Sequence, residues 1–241
     1  MLGLWLFSTA FAQDLDPSNS IVSSLATGIN DTPVSTAVRL LLTLSAMSFL
    51  PAMLVVMTPF VRFVVVFSIL RQALGLSQTP PNQVIIGLSL FLSLLVMEPT
   101  LNVAYNTGFE PFLAGTMQPI DALQHTLEPI RGFMLANTRK TDMQTMLQVA
   151  NLARPEALSE ISTALVTSAF VLSELKTALV ITVYIFIPFL VIDIVVGSVL
   201  LGMGMMMLPP TTVSLPLKIL IFVLSDGWAL LIRDMVQGIN R

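Results

Sequence analysis

Apolar positions in this chain fall into long blocks, with no strand-like alternation, so the predicted elements are helices. The first block opens the sequence. Residues 1–13 read MLGLWLFSTAFAQ: an apolar run from Leu2 to Phe7, then small residues and the A-x-A pattern Ala10-Phe11-Ala12. That pattern predicts a secretory leader over residues 1–12, short and without Lys or Arg ahead of its apolar core. Residues 13–38 are polar and acidic at first (DLDPSNS) and suit the far side of a membrane.

The next block, residues 39–98, predicts a helical hairpin. Leu40 to Val61 is long enough to cross a bilayer, about 33 Å as a helix. Pro51 and Pro59 lie inside it, so a kinked, protein-contacted helix is expected. Apolar character continues past Arg62 to Leu70 and stops at Arg71 and the turn residues Gly75 and Thr79-Pro80-Pro81. The second arm, Val84 to Met97, is short for an independent span and is expected to end at Glu98-Pro99. Residues 99–162 form a more polar helical insert, divided into short helices by Pro111, Pro119, Pro129 and Pro155. Within it, Met143, Met146, Leu147 and Ala150 follow the spacing of a helix with one buried face. Residues 163–241 predict a second hairpin. Thr177 to Leu208 is almost wholly apolar and, at about 48 Å, too long for one hydrocarbon crossing of about 30 Å. The break is expected at Gly202–Met207 and Pro209-Pro210, ahead of a last stretch from Thr211 to Ile232. The order apolar, Pro-Pro, apolar thus occurs twice, through an old duplication or by chance.

Composition sharpens this picture. Charged residues are 10% of the 241, the apolar set is 55%, and the mean hydropathy is +0.87. A water-facing surface needs several times more charge, so lipid or other subunits cover most of the chain, and a soluble enzyme is excluded. The formal net charge of -3 leaves no basic stripe for nucleic acid. With no Cys and one His, His125, metal and thiolate chemistry has no ligand set, and no phosphate-binding glycine loop occurs. No cofactor is expected.

The costly residues are the ions inside apolar blocks: Glu174, Lys176, Asp193, Lys218 and Asp226. A charge at a helix centre costs about 2.5–3.5 kcal/mol on insertion scales, so each must reach an interface, pair, or face water or protein. Glu174 and Lys176 suit either an interfacial helix start or a pairing role. A hairpin would bring Glu174 and Lys218 to one end, and a Glu174–Lys218 pair, within or between subunits, is expected. Asp193 is the deepest ion, a structural hydrogen-bonding group or a proton relay. An aspartyl protease dyad of Asp193 and Asp226 is disfavoured, because Asp226 lacks the G-x-G-D context and no Tyr precedes Asp193. Met205, Met206 and Met207, beside Gly202, Met203 and Gly204, form a flexible apolar loop. It is either a packing filler or, repeated around an axis, a deformable, water-excluding closure.

Several longer motifs carry a resemblance. Ser173-Glu174-Leu175-Lys176, Ile187-Pro188-Phe189-Leu190-Val191-Ile192-Asp193, Gly204 to Pro210 (GMMMLPP) and Asp226-Gly227-Trp228 resemble the FliP family of flagellar biosynthesis proteins and its injectisome relatives. So do Met57-Thr58-Pro59-Phe60, Arg71 to Gly75 (RQALG), Thr79 to Gln83 (TPPNQ) and Pro129 to Met134 (PIRGFM). The leader and longer N-terminus look more like the flagellar branch. The resemblance implies an all-α chain of kinked hairpins and a small insert on the exported side. It implies a homo-oligomer joined by FliQ-like and FliR-like subunits and by other membrane proteins of the export apparatus. Such an assembly is a helical pore at the bacterial inner membrane and flagellar basal body, surrounded in part by lipid and passing unfolded flagellar proteins. It also implies a pore gasket at Met205, Met206 and Met207, and no catalysis. Arg131, Arg139, Lys140 and Arg154 would by charge alone place the insert in the cytoplasm; the leader and the resemblance place it on the other side. The rival reading is a proton-coupled transporter with Glu174, Asp193 and Lys218 as relay groups. After Lys176 the chain departs from the family pattern, Ala178 to Thr182 (ALVIT) being more apolar.

Overall fold

The computed structural model describes residues 55–152, 160–205 and 207–239, with isolated helical positions between 41 and 53. Residues 1–53 are a separate unit, and the predicted leader, the polar segment after it and most of the first apolar arm lie outside the described residues. All that follows concerns the unit beginning at Leu54. Its described elements are helical.

Helix α1 (Phe60–Ala73) starts directly after Pro59, so the first apolar block is broken there where a kink was expected. Its buried positions, Arg62, Phe63, Val66, Phe67, Leu70 and Ala73, recur at helical spacing and form one stripe. Helix α2 (Asn82–Ala104) follows the Pro-Pro turn. It does not end at Glu98-Pro99. A proline removes one N–H from the ladder but has a helical φ, and the chain beyond it keeps a buried face at Ala104 and Gly108. A five-residue π-helical turn (Tyr105–Phe109) and the short α3 (Glu110–Leu113) extend it, so Asn82–Leu113 makes a continuous 32-residue apolar unit.

In the insert, Pro119 opens a helix as predicted, Pro111 lies within the continuous Asn82–Leu113 unit and divides nothing, and Pro155 lies outside the described residues. Pro129 instead lies inside α4 (Pro119–Asn137), whose buried Ile130, Phe133 and Met134 hold the helix together across it. Helix α5 (Lys140–Val149) buries Met143 and Leu147 and half-buries Met146, while Ala150 is the exposed C-cap.

Helix α6 (Thr163–Gly202) is the spine. Ser162 caps it, its hydroxyl oxygen accepting from the Leu165 N–H. Neither the Glu174–Lys176 segment nor Pro188 interrupts it, so the charged pair lies well inside a 40-residue helix and is no helix start. The helix stops where the sequence indicated. Gly204 takes φ +76°, and the N–H groups of Gly204 and Met205 bond back to Leu201 and Leu200 at 3.0 Å each, a Schellman closure that favours glycine there. After the turn come α7 (Thr211–Leu224) and α8 (Gly227–Gln237), bent by 64° at Asp226, which has φ +51°. The last block is therefore two helices.

The core forms where α1 and α4 pack on the first half of α6 and α2 packs in turn on α1 and α4, around Phe63, Val66, Met97, Met134, Val166 and Phe170. By length and composition, Asn82–Leu113 and Thr163–Gly202 can each cross a membrane, and the bent α7–α8 pair is a third candidate. Helix α6 is about 60 Å long, twice a hydrocarbon core. Its second half exposes Val183, Tyr184, Leu190, Ile194 and Val199, a surface for lipid or protein.

The crossing of the π turn with α4 depends on one missing side chain. A Cβ at Gly108 would lie 2.2 Å from Thr126 Oγ1 and 2.6 Å from the Thr126 backbone nitrogen, whereas one at Gly132 meets nothing within 4 Å. Gly108→Ala is expected to destabilise by about 1–3 kcal/mol through overpacking. Gly132→Ala, mid-helix, is expected to stabilise by up to about 1 kcal/mol. Thermal unfolding of both variants in detergent checks the opposite signs.

Candidate functional site

The ions predicted to be costly are resolved by a single device used twice. Arg62, on α1, is 2% exposed and grips Glu174 of α6, itself 1% exposed. Arg62 Nε donates to Glu174 Oε2 at 2.8 Å and Nη2 to Oε1 at 2.5 Å, the bidentate geometry that makes an arginine–carboxylate pair strong. Its remaining Nη1 donates to the Met235 carbonyl in the last turn of α8 at 3.2 Å. At the other clamp, Lys218 of α7 donates to Asp193 Oδ2 of α6 at 2.6 Å and to the Ala73 carbonyl at the end of α1 at 3.0 Å. Each buried cation thus neutralises a carboxylate on the spine and satisfies a carbonyl at the negative end of another helix.

The expected Glu174–Lys218 pair is therefore not formed within the chain. The reason is distance: Glu174 and Asp193 are 19 positions apart on one continuous α6, about 28 Å at 1.5 Å per residue. Lys218 reaches the Asp193 level, and Glu174 is taken by Arg62. The same separation keeps Glu174, Asp193 and Lys218 from forming one relay. Asp226 is an exposed residue at the α7–α8 bend. Among the described residues no group of three or more His, Cys, Asp or Glu could hold a metal ion.

Two partners went unpredicted. Arg62 flanks the first apolar block in the sequence, yet apolar residues run on past it to Leu70, which was the available sign that it is internal. Asp142 is fully buried beside Met143 and pairs with Lys176, a half-exposed lysine. Next to it, the Arg139 backbone N–H donates to Ser173 Oγ at 3.1 Å and its Nη2 to Thr177 Oγ1 at 2.9 Å. Ser173, Glu174, Lys176 and Thr177 therefore form one polar band on which α1 and the α4–α5 turn dock. Downstream, where the sequence departs from the family pattern, Ala178 and Thr182 are the buried pair and Leu179 and Val180 face outward.

The methionine segment lies at the tip between α6 and α7. Met203 is 67% exposed, Met205 43% and Met207 98%, and Met206 lies outside the described residues. Pro209 and Pro210 close the loop on its far side, Pro210 resting near Gly197 of α6. The two Pro-Pro dipeptides thus occupy equivalent places, each in the turn of a helical pair.

Long apolar helices and buried ion pairs closed inside one chain define a helical membrane protein. The FliP family matches residues 42–235. The chain is 45% identical over 202 residues to the flagellar biosynthetic protein FliP of Pectobacterium carotovorum subsp. carotovorum, covering 84% of this chain and 78% of that one. It is 45% identical over 205 residues to the Bacillus subtilis FliP, covering 85% and 93%. To that of Caulobacter vibrioides it is 41% identical over 204 residues, covering 85% and 77%. The chain belongs to the FliP family.

Breaking the deeper clamp from one side leaves a buried, unpaired charge. Arg62→Leu alone is expected to cost about 3–5 kcal/mol, and the double replacement Arg62→Leu with Glu174→Leu to recover most of it. Lys218→Met is expected to cost less, because the Asp193 side chain is 35% exposed and water offsets its charge. Thermal unfolding midpoints of the four proteins in detergent check this order.

Proposed function

We propose that this chain is a core pore-forming subunit of the flagellar protein export gate. Several copies, with FliQ-like and FliR-like subunits, surround a channel at the bacterial inner membrane, within the flagellar basal body, through which unfolded flagellar proteins pass. The exposed methionine tip is the observation that carries the reading. Unbranched thioethers repack around objects of varying shape, and here Met207 stands clear of its own chain and Met205 is half-exposed, on a loop anchored at both ends. A side chain 98% exposed contributes nothing to the packing of its own protomer, so its apolar character calls for contact with other copies or with a passing polypeptide. A ring of such tips would exclude water and ions yet yield to an extended chain. Membership of the FliP family and the outward-facing apolar half of α6 support the same assembly. In this reading the insert faces the exported side, Asp193 is structural, and the protein supplies a passage and no reaction.

Replacing Met205, Met206 and Met207 together with Ala is expected to leave the complex assembled while raising its ion permeability several-fold in cells that lack the rod. Conductance or dye leakage measured beside native mass spectrometry of the purified complex checks it. An intact complex with unchanged permeability would contradict the gasket role.

A further inference from the structure

A cavity of about 380 Å³ opens between the middle of α6 and the α7–α8 bend. Its walls include Tyr184 and Pro188 of α6, Phe222 and Ser225 beside the bend, and Leu230 and Asp234 of α8. Most of that surface is apolar. The Ser225 hydroxyl already donates to the Phe222 carbonyl at 3.2 Å. Asp234 stands one turn inside the end of α8, and its carboxylate has no ion pair or hydrogen bond among the described residues.

The walls select what enters. Lysine and arginine can carry a charge several ångströms from their own helix to water, whereas an aspartate has a single methylene and cannot. A carboxylate on an apolar wall in a membrane protein therefore calls for a cation brought to it. The stem of that cation has to lie along Leu230 and Pro188, so it is apolar. The exposed Tyr184 ring on the same wall favours a flat, delocalised head. These requirements describe an arginine.

One such arginine is next in the chain. Arg233 is exposed and has no partner among the described residues. Consecutive helix positions point about 100° apart and differ by about 1.5 Å in height. Arg233 and Asp234 therefore do not face each other, and Arg233 is not among the walls of the cavity. Helix α8 thus carries opposite charges at one level on two different sides. Copies arranged head to tail around an axis meet through two different patches that must complement each other. This pair supplies both patches.

We infer that Arg233 of one copy enters the cavity of the next and pairs there with Asp234, a head-to-tail contact between copies of this chain. The inference rests on the export-gate reading for the presence of several copies around one channel, and it names the residues that join them.

The test uses the complex purified from membranes in mild detergent, its copy number read by native mass spectrometry. Arg233→Glu and Asp234→Arg should each lower the assembled fraction several-fold. Both changes in one chain should restore it. So should the two single variants co-expressed, because alternating copies are then complementary at each junction. The chain has no cysteine, which provides a readout independent of the reversals. With Arg233→Cys on one tagged copy and Asp234→Cys on a differently tagged one, a short bismaleimide should join the mixed pair several-fold more than either variant to itself. Reversals that leave the assembly intact, or mixed copies that cross-link no better than like ones, would overturn the contact and leave the export-gate reading standing. Loss on Asp234→Arg without loss on Arg233→Glu would overturn it as well, since the cation would then come from a different subunit. A starting protein found only as a monomer would overturn both.

Discussion

A guanidinium held between a carboxylate and a helix end is the contact on which this fold turns. Arg62 sits on α1, but its three bonds run to α6 and α8, and both ions are almost fully buried. Lys218 repeats the arrangement from α7, reaching α6 and the end of α1. These four helices therefore share two electrostatic fasteners about 28 Å apart along the spine. In hydrocarbon such groups have no water to fall back on, so pairing decides position more strictly than apolar packing does. Leucines and valines can slide past one another at little cost. A bidentate arginine cannot.

That strictness explains a surface that would otherwise be paradoxical. Glu174, Asp193 and Asp142 are each paired with a cation of the same chain, while the outward half of α6 and much of α2 are left apolar. A helix of about 60 Å cannot lie wholly in a hydrocarbon layer of about 30 Å while standing upright. Part of its apolar surface therefore calls for protein neighbours. A chain that fixes its own helices internally and offers smooth apolar faces externally is suited to close side-by-side assembly. The methionine tip extends the same division of labour: it is anchored by backbone bonds at its base and free of its own protomer at its crown.

Much of this was legible in the sequence because hydrophobic block length and proline position are strong signals. The helical character, the turns at Pro80-Pro81 and Gly204 and the helix start at Pro119 all follow from local chemistry. Ion partners do not. Glu174, Asp193 and Lys218 were identifiable as costly, but their pairing depends on where α6 ends and how α7 lies along it, which no spacing encodes. The error over Glu174 and Lys218 came from placing both at one end of the hairpin: Lys218 is 7 positions into α7, close to the turn, whereas Glu174 is 28 positions before the end of α6. Pro99 and Pro129 were hard for a related reason. A proline's effect on a helix is set by whether the chain beyond it has a face to bury, and that is a tertiary property.

The central claim is that Arg62 and Glu174 fasten helices within one chain, and charge reversal in one chain or in two tests it most directly. Arg62→Glu and Glu174→Arg combined in one polypeptide should restore folded protein recovered in detergent to well above either single reversal. The two single reversals co-expressed on separate chains should give no such recovery. Recovery from the separate chains, with none from the combined one, would mean that the pair forms between subunits and that the fastening described here belongs to the assembly.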